Sequence, residues 1–301
     1  MALSASEVTA HIKSRLLVLD GATGTELERR GVCAAPPLWS AAALLTAPQV
    51  VEQVHRDYVA AGADILVANT FRTNPRTLRS AGCARPGALL NRLAVDLARR
   101  ASQATSRPVI VAASVGPVED CYHPERVPST DVLRAEHAEM MDWLVEARPD
   151  LIWIETMNTL REACIAAQCA AERGLPAVVS FVTRQSGELL SGEPLSEAVA
   201  AVAALGPLAI GLNCIPPCGV SGLLERLRVS LDGALAAYAH INNPVPISGW
   251  NYSQSMGPEE YGGYVRQWLE RGATIVGGCC GTTPAHIEAV RRAVDTFDRS
   301  A

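Results

Sequence analysis

The sequence predicts a single closed (β/α)₈ barrel spanning residues 1–301, and three observations lead there. Short apolar runs alternate with longer segments of helical character about eight times along the chain. The runs are nearly continuous in Val, Ile and Leu, as strands covered on both faces must be. Polar residues cluster at the carboxyl ends of these runs, where a barrel gathers its chemistry. Eight such units in 301 residues favour a closed parallel barrel over an open doubly wound sheet.

The predicted strands lie at 16–20, 65–69, 109–114, 151–155, 178–182, 209–213, 245–249 and 274–278. Between them, helical character covers 48–61, 86–102, 131–146, 160–173, 258–271 and 284–297. Several helices open on proline, whose missing N–H costs nothing in the first turn. Several close on glycine just before the next strand, as at Gly62, Gly174 and Gly272. No sequence repeat of fixed period and no linker divides the chain, and the irregular stretch at 242–246 is too short to do so. The GATGTELERRG turn after the first strand lacks both the GxGxxG spacing and a GK[ST] ending, which argues against nucleotide binding there.

Composition narrows the function. Apolar residues make up 49% of the chain and the net charge is -5, so a large core is available and no basic footprint for nucleic acid or anionic membrane exists. Lys13 is the only lysine, and the arginines are scattered. The first residues carry no uninterrupted apolar core of a signal peptide, and no apolar run is long enough to span a bilayer. A cytoplasmic protein is expected, in which nine cysteines serve as ligands or buried thiols and not as a disulfide framework.

The predicted strand ends carry Asp20-Gly21, Asn69-Thr70, Ser114, Glu155, Asn213-Cys214, Trp250-Asn251 and Cys279-Cys280. Cys214, Cys279 and Cys280 come from positions flanking the seventh strand and can converge at the rim. Three thiolates suit Zn²⁺, which prefers sulfur ligands at about 2.3 Å and keeps one position open in catalytic sites. Such an electron-rich metal acidifies water poorly but can hold a further sulfur as a reactive thiolate, which points to alkyl transfer to sulfur. Spacing alone also allows buried, inert thiols. Cys218, in Cys-Ile-Pro-Pro-Cys, rivals Cys214 as a ligand or could form a redox pair with it, and Cys279-Cys280 could form a vicinal disulfide. Cys164 and Cys169 read as core, while Cys33, Cys83 and Cys121 show no partner pattern. The histidines, His55, His137 and His286 among them, show no ligand spacing and read as solvated or packing residues.

The motifs Gly277-Gly278-Cys279-Cys280-Gly281-Thr282-Thr283-Pro284, Gly211-Leu212-Asn213-Cys214 and Asp20-Gly21-Ala22-Thr23-Gly24-Thr25 resemble the homocysteine S-methyltransferase family. Asn69-Thr70-Phe71, Ser114-Val115-Gly116-Pro117 and Glu155-Thr156 are similar to its remaining signatures, in the family's order. The resemblance implies a (β/α)₈ barrel with one Zn²⁺ on Cys214, Cys279 and Cys280, homocysteine as acceptor and methionine as product. It implies substrate contacts at Asp20, Gly21, Asn69, Thr70 and Glu155, with Glu155 on the ammonium and backbone N–H groups of the 21–25 turn on the carboxylate.

Members of the family use S-methylmethionine, S-adenosylmethionine, betaine, or a folate and cobalamin route. A chain of 301 residues has no room for cobalamin or folate modules, although an isolated barrel fed by a separate methyl-carrying protein stays open. Betaine-type members surround the quaternary ammonium with aromatic rings. Here Phe71 is followed by Arg72 and Glu155 by Thr156, and few aromatics remain: Trp39, Phe71, Tyr122, Trp250 and Tyr252. A sulfonium donor is therefore expected. Its methyl is already activated, so proximity and alignment suffice without a general acid. The alternatives are selenocysteine or another small thiol as acceptor, and a non-catalytic zinc- or thiol-sensing barrel. The sequence leaves the oligomeric state undetermined.

Overall fold

The computed structural model of the chain describes residues 3–33, 35–241, 243–245, 249–251 and 256–297. Seven strands follow one another as β1 (Leu17–Val18), β2 (Ile65–Ala68), β3 (Ile110–Val115), β4 (Leu151–Met157), β5 (Ala177–Phe181), β6 (Ala209–Asn213) and β7 (Ala234–Ala239). A two-stranded antiparallel hairpin of β8 (Asn243–Val245) and β9 (Gly249–Asn251) comes next, and then β10 (Ile275–Gly278). The eight-stranded sheet runs β1-β10-β7-β6-β5-β4-β3-β2, parallel throughout. A parallel bridge from Leu19 to Ile65 joins its two ends, so the chain forms a (β/α)₈ barrel.

Two cores result. Inside the barrel, Leu17, Leu19, Ile65, Ile110, Leu151, Trp153, Val178 and Ile275 pack together with Ala112, Ala209 and Ala236. Large and small side chains alternate because the barrel is too narrow for large ones from every strand. The helix Ala5–Ser14 contributes Val8 and Ile12 to this inner cluster. A second, larger cluster lies between the strands' outer faces and the surrounding helices. Helices Pro48–Ala60, Pro258–Glu270 and Pro284–Asp295 begin on proline as anticipated. Gly62 and Gly272 take φ of 102° and 86° where helix turns into strand, a conformation that a Cβ disfavours.

One predicted strand is displaced. The seventh barrel strand is β7, not 245–249; residues 246–248 lie outside the described residues, and their flanks form the hairpin. The run ALAAYA has weak strand propensity, whereas VPISG carries the β-branched residues that suggest one. Packing overrides propensity here, because small side chains on β7 leave room for Trp153 and Tyr238 inside the barrel. The rim residues after the seventh strand are consequently His240 and Ile241, not Trp250 and Asn251.

Candidate active site

The three sulfurs meet at the carboxyl end of the barrel. Cys214 follows β6, and Cys279 and Cys280 follow β10, on either side of β7. All three are buried, and their Sγ atoms lie within 4.8 Å of one another. Main-chain bonds to β7 fix the ligand positions: Cys214 N–H donates to Tyr238 O at 3.3 Å and Cys279 N–H to Ala239 O at 3.0 Å. The Thr282 hydroxyl bonds Cys279 O at 2.7 Å, and Gly281 N–H donates to Thr25 Oγ1 at 2.9 Å, tying the loop to the first strand–helix unit.

The Sγ atoms of Cys214 and Cys279 are in contact, with Cα atoms 5.9 Å apart, and Cys280 Sγ lies 3.9 Å from Cys279 Sγ. This contact differs from both pairings suggested by sequence neighbours, because the barrel juxtaposes residues 65 positions apart. The same atoms, reduced, form a three-thiolate donor set that fits a tetrahedral thiophilic metal. Cys218, the rival ligand, is exposed and lies outside the cluster. Cys214 adopts φ 52° and Thr156 φ 59°, each costing on the order of 1 kcal/mol. Asn213 stabilises the region by bonding both Thr156 N–H (2.9 Å) and Thr156 Oγ1 (2.8 Å).

Two carboxylates face the same end of the barrel. Asp20 is buried and accepts Val67 N–H at 2.9 Å; burial pushes its pKa well above the usual range, and the charge of Glu155 adds to the shift. Glu155 accepts the Ser114 hydroxyl at 2.5 Å on one oxygen and the Tyr238 hydroxyl at 3.1 Å on the other. Burial raises its pKa to about 6, against the opposing effect of those two donors. Neither carboxylate makes an ion pair with any cation among the described residues.

The remaining predicted residues spend their bonds internally. The Asn69 amide donates to Ser40 O at 2.8 Å, and the Thr70 hydroxyl donates to Ser114 O at 2.7 Å. A Cβ on Gly21 would lie 2.7 Å from the Tyr58 ring, so glycine lets Tyr58 pack beneath the first turn. The Ala22 N–H goes to Thr282 Oγ1 at 3.3 Å. Phe71 sits against Gly116, and the Arg72 guanidinium lies 5.2 Å over its ring. The side chain of Trp250, and residue 252 altogether, lie outside the described residues.

Sequence reasoning missed Tyr238 and His240, since both belong to the strand it misplaced. His240 is buried with Nδ1 unpaired; burial lowers its pKa to about 4, although the Cys214 carbonyl opposes this. Among the described residues, the metal-type cluster of His, Cys, Asp and Glu is the three-cysteine group alone. His55 and His137 are buried on helices, His137 paired with Glu162 at 3.0 Å, and His286 serves in the capping box of the last helix.

The family model described as homocysteine S-methyltransferase matches residues 17–294. The chain belongs to the homocysteine S-methyltransferase family. Homocysteine S-methyltransferase of Escherichia coli is 32% identical, covering 93% of this chain and 95% of its own length. Selenocysteine Se-methyltransferase of Brassica oleracea is 29% identical, covering 91% and 88%. Among solved structures, the metallated form of the E. coli homocysteine methyltransferase MmuM superposes with a TM-score of 0.82 at 31% identity, over 93% of this chain and 96% of that one. Its oxidized form gives 0.81 at 30% identity, over 92% and 95%. No helix among the described residues is long and apolar enough to cross a membrane.

Proposed function

We propose that this family member is a zinc-dependent methyltransferase acting as one barrel domain. It would carry a methyl group from a sulfonium donor, S-methylmethionine or S-adenosylmethionine, to the sulfur of homocysteine, giving methionine. The observation that carries the reading is a three-sulfur cluster beside two carboxylates that have no cationic partner among the described residues, at one end of the barrel. A substrate bearing both a thiol and an ammonium complements that arrangement. The partners are small molecules, with neither nucleic acid nor membrane.

Cys214, Cys279 and Cys280 would hold the ion, and their all-sulfur donor set supports Zn²⁺. When bound, Zn²⁺ supplies the Lewis acidity that keeps an acceptor thiol deprotonated yet nucleophilic at neutral pH. The chain's own residues do the positioning. Glu155, ionised above about pH 6, binds the ammonium through charge-assisted hydrogen bonds, with Ser114 and Tyr238 fixing its two oxygens. Asp20, whose pKa is raised chiefly by burial, lies at the same end and can hydrogen-bond the same substrate. Gly21, Asn69 and Thr70 shape the adjoining wall. The acceptor sulfur attacks the donor methyl carbon as the donor sulfur–methyl bond breaks. That electron pair stays on the donor as a neutral thioether, and the acceptor's thiol proton passes to solvent. Alignment supplies the catalysis.

The donor assignment is supported by Phe71. Arg72 already covers that ring and Gly116 packs against its edge, so it is not a free wall of an aromatic cage for betaine. Selenocysteine is the second acceptor, favoured by the 29% identical selenocysteine enzyme of Brassica. The test is metal analysis of the reduced protein followed by turnover of homocysteine with a panel of donors. About one zinc per chain and methionine formed from S-methylmethionine or S-adenosylmethionine are expected. Turnover with betaine alone overturns the donor, and no turnover with any donor in metal-loaded protein overturns the function.

A further inference from the structure

The inner barrel contains a polar chain that converges on one phenol. Tyr238 points into the barrel from β7 and is buried at 3% exposure. Its oxygen lies 2.7 Å from Trp153 Nε1, 2.9 Å from Ser180 Oγ and 3.1 Å from Glu155 Oε2. An indole N–H can only donate, so Trp153 takes one acceptor site of the phenol. Facing an ionised Glu155, the phenol's single proton goes to the carboxylate, and Ser180 must therefore donate to the phenol. Every hydrogen bond has one direction. The Trp153 and Tyr238 rings also meet edge to face at 5.8 Å, which locks the phenol's torsion.

The same residue reaches the sulfur cluster through its main chain. Tyr238 O accepts the Cys214 N–H at 3.3 Å, and the next residue accepts the Cys279 N–H at 3.0 Å. The carboxylate and two of the three cysteines are thus referenced to consecutive residues of one strand. A strand is a stiff spacer, so the separation between the carboxylate and the sulfurs is set by β7 and not by loops.

We infer that Tyr238 is a positioning residue that fixes Glu155 relative to the three cysteines. This rests on the methyl-transfer reading and on Glu155 as the ammonium anchor. The substrate class this anchor serves is an α-amino acid that carries a thiol or a selenol.

The experiment compares wild type, Tyr238→Phe, Ser180→Ala and Glu155→Gln as reduced, metal-loaded enzymes, with metal content, kcat and KM measured for homocysteine. Tyr238→Phe should keep its metal, raise the homocysteine KM about tenfold and leave kcat within about threefold, because a hydrogen bond to the charged anchor is lost. Ser180→Ala should move the homocysteine KM the same way by about threefold. An unchanged homocysteine KM in Tyr238→Phe, while Glu155→Gln raises it, overturns the inference and leaves the function intact. If Tyr238→Phe does not fold, Ser180→Ala decides: a raised KM at full metal content supports the inference, and an unchanged one overturns it. An unchanged KM in Glu155→Gln removes the anchor assignment and this inference with it.

Discussion

The two ends of the barrel treat buried and half-buried carboxylates in opposite ways. At the amino end, Asp64 and Asp150 each precede a strand and accept an N–H of the neighbouring strand, Val18 at 2.9 Å and Val111 at 2.8 Å. Each is also neutralised by arginine. Asp64 pairs with Arg107 at 2.8 Å and Arg291 at 2.9 Å, and Asp150 holds Arg99 through bonds of 2.6 and 2.8 Å. At the carboxyl end, Asp20 and Glu155 accept neutral N–H and O–H donors, and among the described residues neither has an ion-pair partner. A buried carboxylate is costly without a cation. One end has been given its cations by the chain; at the other, the ammonium of the proposed substrate would take that role.

The largest test of this contrast is at the sulfurs. The double change Cys279→Ser plus Cys280→Ser should abolish metal binding and cut methyl transfer more than about hundredfold, since even outer-shell changes cost 10–100-fold in metal sites. Unfolding should remain cooperative, because these residues crown the inner core; metal analysis showing full retention would sink the site. Next comes an exchange between the ends. Asp150→Asn should cost about 3 kcal/mol in urea unfolding by stranding Arg99, with the homocysteine KM unchanged. Glu155→Gln should do the reverse, raising that KM about tenfold without lowering the unfolding midpoint. Similar destabilisation by both variants would erase the distinction.

A smaller effect appears with pH. Glu155 has a pKa of about 6 in the folded protein against an ordinary 4.5, so homocysteine binding should weaken as pH falls below about 6. The stability effect has the opposite sense. A raised folded pKa contributes stability that is fully present below pH 4.5 and lost as pH rises through about 6. Glu155→Gln should flatten that slope in unfolding experiments between those values, and an unchanged slope would show that the group titrates normally. The smallest effect is expected at Cys218→Ser, which should leave metal content and turnover unaltered because the thiol is exposed and outside the cluster.

Much of this arrangement is legible residue by residue. Strand ends at Asp20, Glu155, Cys214 and Cys279 stand out because a polar residue after an apolar run has few structural reasons to be there. The seventh strand was hidden because Ala234–Ala239 carries little propensity of its own, and Tyr238 and His240 were hidden with it. Asn69 and Thr70 show the converse limit: their position at the rim was readable, but their bonds to Ser40 and Ser114 were not.

The sequence by itself determined the barrel class, the family and the candidate sulfurs, because hydrophobic runs, helix punctuation and ordered short motifs are local properties of the chain. Tertiary structure alone decided which alanine-rich run is β7 and which cysteines meet. It also decided which carboxylates lack an ion-pair partner among the described residues and that one tyrosine joins Glu155 to the cluster. Those depend on contacts between residues far apart in sequence, such as Trp153 with Tyr238, and become definite only when the closed barrel brings non-neighbouring strands to within a few ångströms.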